Sequence, residues 1–259
     1  MTDKEIDQRL HDALTPDVPE DRLFVFKEMT KESEGTTMKM KRLSMVACLC
    51  LGLILVSGTA YAAYKYLSPE RVAEQVNETK LAKYFGKTEN EVVVQEKGDY
   101  RAVYIGKVTG KDLSEGNDIP VDKNYTYIVT ALERTDGQPI TIDDSFVTSP
   151  FVHGVRPWQY NIFFMDDSGA TSFVKNNTLY SLTRANDIEQ FADRGAYIAI
   201  TDRPPSAESY AYDETTGDIS SVENYSGINF LFKADLDKSK ADPEKAEELL
   251  RDAGVTEEK

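Results

Sequence analysis

Hydrophobic residues change their spacing twice along the chain, and the changes divide it into three parts. Before residue 43 they recur at three- and four-residue intervals, which is typical of amphipathic helices. Residues 43–64 are an apolar run without a charge. After residue 87 apolar and polar residues alternate, which is typical of β-strands with one buried face. The pattern therefore predicts a helical tail, one long apolar helix and a β-rich part.

The apolar run of residues 43–64 is long enough to cross a membrane. As a helix its 22 residues cover about 33 Å at about 1.5 Å per residue, and the hydrocarbon core of a bilayer is about 30 Å thick. A buried helix of a globular core is the alternative, but such helices rarely run this long without a charge. We therefore predict one transmembrane helix in the lipid bilayer.

Charges beside this run set its predicted orientation. Lys39, Lys41 and Arg42 abut its N-terminal end, and a positive cluster is typical of the cytoplasmic side. Residues 1–42 are then a cytoplasmic tail, and residues 65–259 lie outside the cell. The predicted location is the cell membrane, crossed once.

The end of the apolar run also has the pattern of a processing site. Ala60, Ala62 and Ala63 give the small-x-small spacing at which signal peptidases cut. Cleavage there would release the outer part of the chain. The 42 residues that precede the run are far longer than the usual start of a signal peptide, which favours an uncleaved anchor. Both interpretations stay open.

Two short amphipathic helices are predicted in the tail. Thr2 and Glu5 have the spacing of a capping box, and an apolar stripe follows before Pro16. A second helical run covers residues 20–34. Neither helix can bury its apolar face alone, so these faces either bind a cytoplasmic protein or lie on the inner membrane leaflet. The residues predicted to bind a partner are Ile6, Leu10, Leu14, Leu23, Phe24 and Phe26.

The outer part begins with a predicted juxtamembrane helix over residues 65–86. Ser68 suits the N-cap and Pro69 the first helical position. Gly86 suits the left-handed position just after the end. The apolar stripe is imperfect, which predicts a break near Asn77.

Residues 87–238 are predicted to form a mainly β extracellular domain. Short strands joined by turns favour an antiparallel, sandwich-like architecture. Hairpin turns are predicted at Asp136-Gly137, Ser168-Gly169 and Thr216-Gly217. The predicted strands are 92–96, 100–108, 125–132, 160–164, 170–174, 196–200, 209–212 and 229–234.

A C-terminal helix and a buried aromatic cluster are also predicted in the outer part. Asp242 as N-cap and Pro243 after it predict a charged helix within residues 239–259. Its apolar stripe is thin, so weak docking or projection into solvent is expected. The aromatic cluster of the domain is expected in the core, and it comprises Trp158, Tyr160, Phe163 and Phe164.

Residues suited to catalysis are sparse. His153 is the only histidine after the apolar run, and no nucleophile, zinc or phosphate motif surrounds it. Asp143-Asp144 and Asp166-Asp167 lack the spacing of a calcium loop, so we interpret them as turn formers. Cys48 and Cys50, the only cysteines, lie inside the apolar run. We predict no enzymatic activity, no cofactor and no metal.

The charge of the chain argues against nucleic acid as a partner. The formal net charge is −15, and binding of phosphates needs clustered Lys and Arg. The outer part alone carries 22 basic and 35 acidic residues. An acidic surface of this kind is most simply a solubility feature.

Three features of the chain occur together: the tail opening Asp3-Lys4-Glu5-Ile6-Asp7, then Ala13-Leu14 before a proline, and the small-residue membrane exit 57–64. This layout resembles Firmicute single-pass membrane regulators of the zinc-free anti-sigma type. In that group a β-rich outer domain of unassigned role follows the membrane helix. Many anti-sigma factors hold zinc in the tail, but His11 has no cysteine near it, so only the zinc-free type fits.

Two functions from different classes follow. The resemblance implies a signalling protein whose tail binds a cytoplasmic sigma factor and whose outer domain senses the cell envelope through an unknown extracellular ligand. The alternative is a membrane-anchored binding or adhesive domain without a regulatory role. The tail discriminates between them, because only the first function needs it.

Overall fold

The computed structural model describes residues 65–86, 92–110 and 124–255. Within these ranges no helix is both long enough and apolar enough to cross a bilayer. The predictions for the tail, the transmembrane helix and the processing site fall on residues 1–64, outside the described residues.

The described residues form a mainly β domain in which every paired strand is antiparallel. This confirms the predicted fold class at the level of an antiparallel β-rich domain with a few helices. The strands are β1 (Val93–Lys97), β2 (Tyr100–Thr109), β3 (Tyr125–Arg134), β4 (Val147–Val152), β5 (Gly169–Lys175), β6 (Thr178–Asn186), β7 (Ala196–Thr201), β8 (Tyr210–Tyr212), β9 (Ile219–Ser221) and β10 (Asn229–Lys233).

Three sheets stack in layers. A five-stranded sheet has the order β1-β2-β3-β6-β5, a three-stranded sheet has the order β10-β7-β4, and β8 pairs with β9. Alternate residues of a strand point to opposite faces, so β3 directs Ile128 into the core between the two larger sheets and Val129 to the other face. In β7, Ile198 faces that same core while Ala199 packs under the β8–β9 hairpin.

Two short helices cover the other face of the five-stranded sheet. They are α1 (Pro69–Gln75) and α2 (Thr79–Phe85). The predicted cap is present, because the Ser68 hydroxyl accepts a hydrogen bond from the Arg71 amide at 3.4 Å. The predicted break is present at Asn77, whose φ of 65° is left-handed. Gly86 is the C-cap but has a right-handed φ of −67°, so its predicted left-handed role is wrong.

The α1–α2 hairpin, residues 69–85, is held to the sheet by apolar contacts. Val72 and Ala73 of α1 are fully buried, and Leu81 and Phe85 of α2 are nearly so. They pack against residues such as Val103 of β2. At about 25 cal/mol per Å² of apolar surface, side chains of this size contribute about 1.5–3 kcal/mol each on burial.

A third helix, α3 (Pro243–Asp252), closes the described chain. Asp242 caps it as predicted, accepting from the Lys245 amide at 3.1 Å. Ala246 and Leu250 are buried in the core between the two larger sheets. The helix therefore docks through its thin apolar stripe, and of the two expected alternatives projection into solvent is wrong.

The structure corrects several predicted strands and turns. Residues 160–164 form no strand: a single 3₁₀ turn covers Ile162–Phe164. Tyr160 is buried as expected, but Phe163 and Phe164 are 53% and 50% exposed and lie outside the core. The sequence pattern also does not predict β4, β6 and β9.

Only one of the three predicted hairpin turns joins paired strands. Thr216-Gly217 connects β8 to β9, with Gly217 at φ 79°. Asp136-Gly137 is a turn, but it leads from β3 to β4, which lie in different sheets. Ser168-Gly169 leads into β5 from the 3₁₀ turn rather than from a strand.

Candidate functional site

The described chain begins with an exposed lysine whose side chain reaches a buried carboxylate of the β domain. Lys65 Nζ donates to Glu133 Oε2 of β3 at 2.6 Å. Two residues later, the Leu67 amide donates to the Tyr180 hydroxyl of β6 at 3.2 Å. The chain is therefore fixed to two strands of the five-stranded sheet as soon as it leaves the apolar run.

Glu133 receives a second cation from the neighbouring strand. The strand register places Arg101 of β2 directly opposite Glu133, and Arg101 Nη1 lies 3.1 Å from Glu133 Oε2. Arg101 also pairs with Glu96, its cross-strand neighbour on β1. We call the cluster of Lys65, Arg101, Glu133 and Tyr180 the junction.

The Glu133 side chain at the junction is only 8% exposed. An isolated buried carboxylate would be costly, and the two cations offset that cost. Its second oxygen, Oε1, is buried and has no hydrogen-bond partner among the described residues. Burial and the adjacent Glu133 carboxylate raise the pKa of Tyr66, so this phenol stays neutral. The Glu133 carboxylate is thus buried, whereas the Lys65 and Arg101 side chains are 32% and 28% exposed, so water screens part of each ion pair.

An open cleft lies on the same face of the five-stranded sheet as the junction. Its volume is about 760 Å³, within the range of small-molecule sites. The turn of the α1–α2 hairpin, residues 77–81, forms one wall. Tyr127 and Leu182 belong to the sheet face below, and residues 169–171 of the edge strand β5 line the far side.

Two cations line this cleft, together with one carboxylate. Lys80 belongs to the hairpin wall and Arg184 to β6, and Glu78 is the acidic residue beside them. Arg184 is fixed in place, since its Nε donates to the Asp167 carbonyl at 2.8 Å. Its guanidinium also lies 4.9 Å from the centre of the Tyr125 ring. The cleft combines aromatic, apolar and cationic groups, which suits a polar or anionic small ligand.

The cleft and the junction share one structural element. The α1–α2 hairpin starts four residues after Lys65 and carries the cleft wall at its turn. Both helices contact β2, the strand that carries Arg101. The segment bound at the junction thus leads, through four residues, into the element that lines the cleft.

A second buried ionic cluster fixes the opposite side of the domain. Lys107 of β2 forms an ion pair with Glu189, whose Oε2 also accepts from the Asp237 amide at 2.7 Å. Asp187 Oδ1 accepts from the Thr126 hydroxyl at 3.0 Å. Burial raises the pKa of Asp187. The buried oxygens of this cluster are bonded within the fold, which is typical of a structural network.

The described residues contain no group of three or more His, Cys, Asp or Glu placed to hold a metal ion. His153 lies in a turn with its Nε2 3.5 Å from Asp218 Oδ1. Asp144 acts as the predicted turn former, since its Oδ2 accepts from the Thr141 amide at 2.7 Å.

The predicted partner-binding residues, Ile6 to Phe26, and the predicted processing residues, Ala60 to Ala63, lie outside the described residues. The junction and the cleft are thus sites that sequence reasoning did not predict. Only the register of β2 and β3 brings Arg101 to Glu133, and a pattern along one strand does not contain that register.

Comparisons of the chain with family models, with curated proteins and with solved structures find no match. The resemblance to zinc-free anti-sigma regulators stays a prediction.

Proposed function

We propose that this protein is a single-pass membrane regulator of the anti-sigma type. Its tail, residues 1–42, would bind a cytoplasmic sigma factor, and its outer domain would sense a ligand of the cell envelope. The observation that carries the proposal is the α1–α2 hairpin, because its turn lines the cleft and the residues just before it, Lys65 and Leu67, are bound at the junction. A sensing domain needs such a connection, whereas a domain that is merely displayed does not.

The proposed mechanism is a population shift of the α1–α2 hairpin. A ligand can change the preferred position of residues 77–81 only if it binds one position more tightly than the other. That change would alter the strength of the Lys65–Glu133 pair. Lys65 directly follows the predicted transmembrane helix, so the shift would reach the membrane.

The proposed binding of a sigma factor on the cytoplasmic side rests on the apolar faces of the tail. Leu10 and Leu14 fall on one side of the first predicted helix, and a helix with one apolar face binds a groove of a partner protein. Release of the sigma factor on an outside signal would then change transcription.

Co-purification of the full chain from its own cells in mild detergent tests this function. We expect a sigma factor among the bound proteins, identified by mass spectrometry. Leu10→Asp should abolish its recovery, because the charge falls on the apolar face. Gln8→Asp adds the same charge on the opposite face and should leave recovery unchanged. Absence of any sigma factor from the intact chain would contradict the proposal and favour the alternative of an anchored binding or adhesive domain.

A further inference from the structure

Strand β5 is an edge of the five-stranded sheet that lacks the usual protection. Edge strands commonly carry charges, prolines or bulges, or are covered by another segment, since their free amides and carbonyls pair with other chains. From Gly169 to Val174 the strand has no charge and no proline. Its residues are exposed or half-buried throughout.

The other edges of the two larger sheets are protected. At β1, Gln95 Nε2 donates to the Leu231 carbonyl of β10 at 2.9 Å, so these two edges cover each other. At β4, Pro150 lacks an amide hydrogen, and the Ser149 hydroxyl accepts from the Ile162 amide at 2.9 Å. Among the edges of the two larger sheets in the described part of the chain, β5 is the one without such protection.

The turn that joins β5 to β6 fixes which backbone groups are free. Asn176 and Asn177 have φ of 50° and 58°, as in a two-residue hairpin turn. Lys175 and Thr178 flank this turn and form its first pair. In an antiparallel ladder hydrogen-bonded and non-hydrogen-bonded pairs alternate. The amides and carbonyls of Ala170, Ser172 and Val174 therefore point away from β6, toward the open edge.

We propose that two copies of this protein pair through β5, antiparallel and with the two-fold axis at Ser172. In this register each residue whose amide and carbonyl point to the open edge lies opposite another such residue. Ser172 pairs with Ser172 of the second copy, and Ala170 pairs with Val174. It forms about six backbone hydrogen bonds across the axis. The five-stranded sheets of the two copies then become one sheet. The inference goes beyond the proposed function and does not depend on it.

Charge favours this register on an otherwise acidic chain. Two copies with a net charge of −15 repel each other on most surfaces. The β5 edge changes sign along its length, from Asp166 and Asp167 before the strand to Lys175 at its end. Antiparallel pairing brings Lys175 of each copy next to the acidic end of the other.

Exposed apolar side chains border the same edge. Val174 is 39% exposed on β5 itself. Phe163 and Phe164 belong to the 3₁₀ turn, and the Ile162 carbonyl of this turn accepts a hydrogen bond from the hydroxyl of Ser168, the residue directly before β5. Pairing of two copies would remove part of this apolar surface from water, which stabilises the contact.

Disulfide trapping tests the register directly. The full chain is purified in detergent micelles with Cys48→Ser and Cys50→Ser, so that a single cysteine can be introduced. Ser172→Cys should form a cross-linked dimer under mild oxidation, since paired residues lie about 5.5 Å apart between Cα atoms, within disulfide range. Thr171→Cys is the matched control: it opposes Phe173 of the second copy and should cross-link far less.

The mass of the micelle-bound chain supplies the second measurement. The unmodified chain should be a dimer, and Ser172→Pro should shift it to a monomer, because the lost amide hydrogen points to the open edge and not to β6. Ser172→Lys should do the same by placing like charges at the axis, and it keeps the proposal testable if the proline variant misfolds. A monomeric unmodified chain overturns the proposal, and so does a dimer in which Ser172→Cys cross-links no better than Thr171→Cys.

Discussion

Arg101 and Glu133 lie directly opposite each other on β2 and β3, and the same carboxylate oxygen of Glu133 binds Lys65 at the start of the described chain. One buried acid thus holds together two strands and the segment that follows the predicted transmembrane helix. The α1–α2 hairpin between this point and the cleft is the element through which we propose that the outer domain acts.

Replacing Glu133 with Gln should destabilise the outer domain by about 1–3 kcal/mol, because Lys65 loses its charged partner and Arg101 keeps only Glu96. Urea unfolding of the full chain in micelles, followed by the fluorescence of Trp158, measures the change. Glu74→Gln is the control, since Glu74 forms an exposed pair with Arg71 at 3.1 Å, and such pairs are worth about 0–1 kcal/mol. Equal effects of the two substitutions would contradict the role given to Glu133.

Asn77 should tolerate glycine but not alanine. Its φ of 65° is left-handed, a conformation that costs most residues with a Cβ about 1–2 kcal/mol and glycine little. We expect Asn77→Ala to lower the free energy of unfolding by about 1 kcal/mol and Asn77→Gly to leave it nearly unchanged. The same urea unfolding measures both. A tolerated alanine would show that the turn between α1 and α2 is not constrained at this residue.

Replacing Asp187 with Asn should change how the stability of the outer domain depends on pH. Burial raises its pKa in the folded state above the ordinary value of 3.8. Its contribution to stability is therefore greatest below the unfolded pKa and is lost as the pH rises through the folded pKa. Asp187→Asn keeps an oxygen that can accept from Thr126 and removes the titration. We expect the variant to gain stability relative to the unmodified chain as the pH rises from about 4 to 7.

Unfolding measured at several pH values gives this difference, since the titrating groups that do not interact with Asp187 affect both proteins alike. A difference that stays constant between these pH values would contradict the burial of a titrating Asp187.

The alternation of apolar residues predicted most of the strands, because a strand with one buried face leaves its period in the sequence. It failed at β4 and β6, where both faces are buried, and at β9, whose three residues are too few to show a period. All six residues of β4 are buried or half-buried, and they include Thr148, Ser149 and Pro150, so no alternation appears. In β6 the first six residues are all buried, again without a visible period.

The sites were less accessible to sequence reasoning than the fold. Glu133 and Arg101 are 32 residues apart along the chain, and only the pairing of β2 with β3 shows that they meet. The caps of α1 and α3 were predictable because a cap depends on neighbours within a few residues. The cleft depends on how a helical hairpin lies over a sheet, which no local pattern records.

The measurement that tests the central claim most directly is the transcript profile of cells that carry Glu133→Gln in the full chain, beside cells in which residues 1–38 are deleted. If the outer domain acts through the junction on a tail that holds a sigma factor, both changes should alter the same set of transcripts, and Glu74→Gln should alter none of them. If deletion of residues 1–38 leaves the profile unchanged, or if Glu133→Gln leaves it unchanged while the deletion alters it, the account is contradicted.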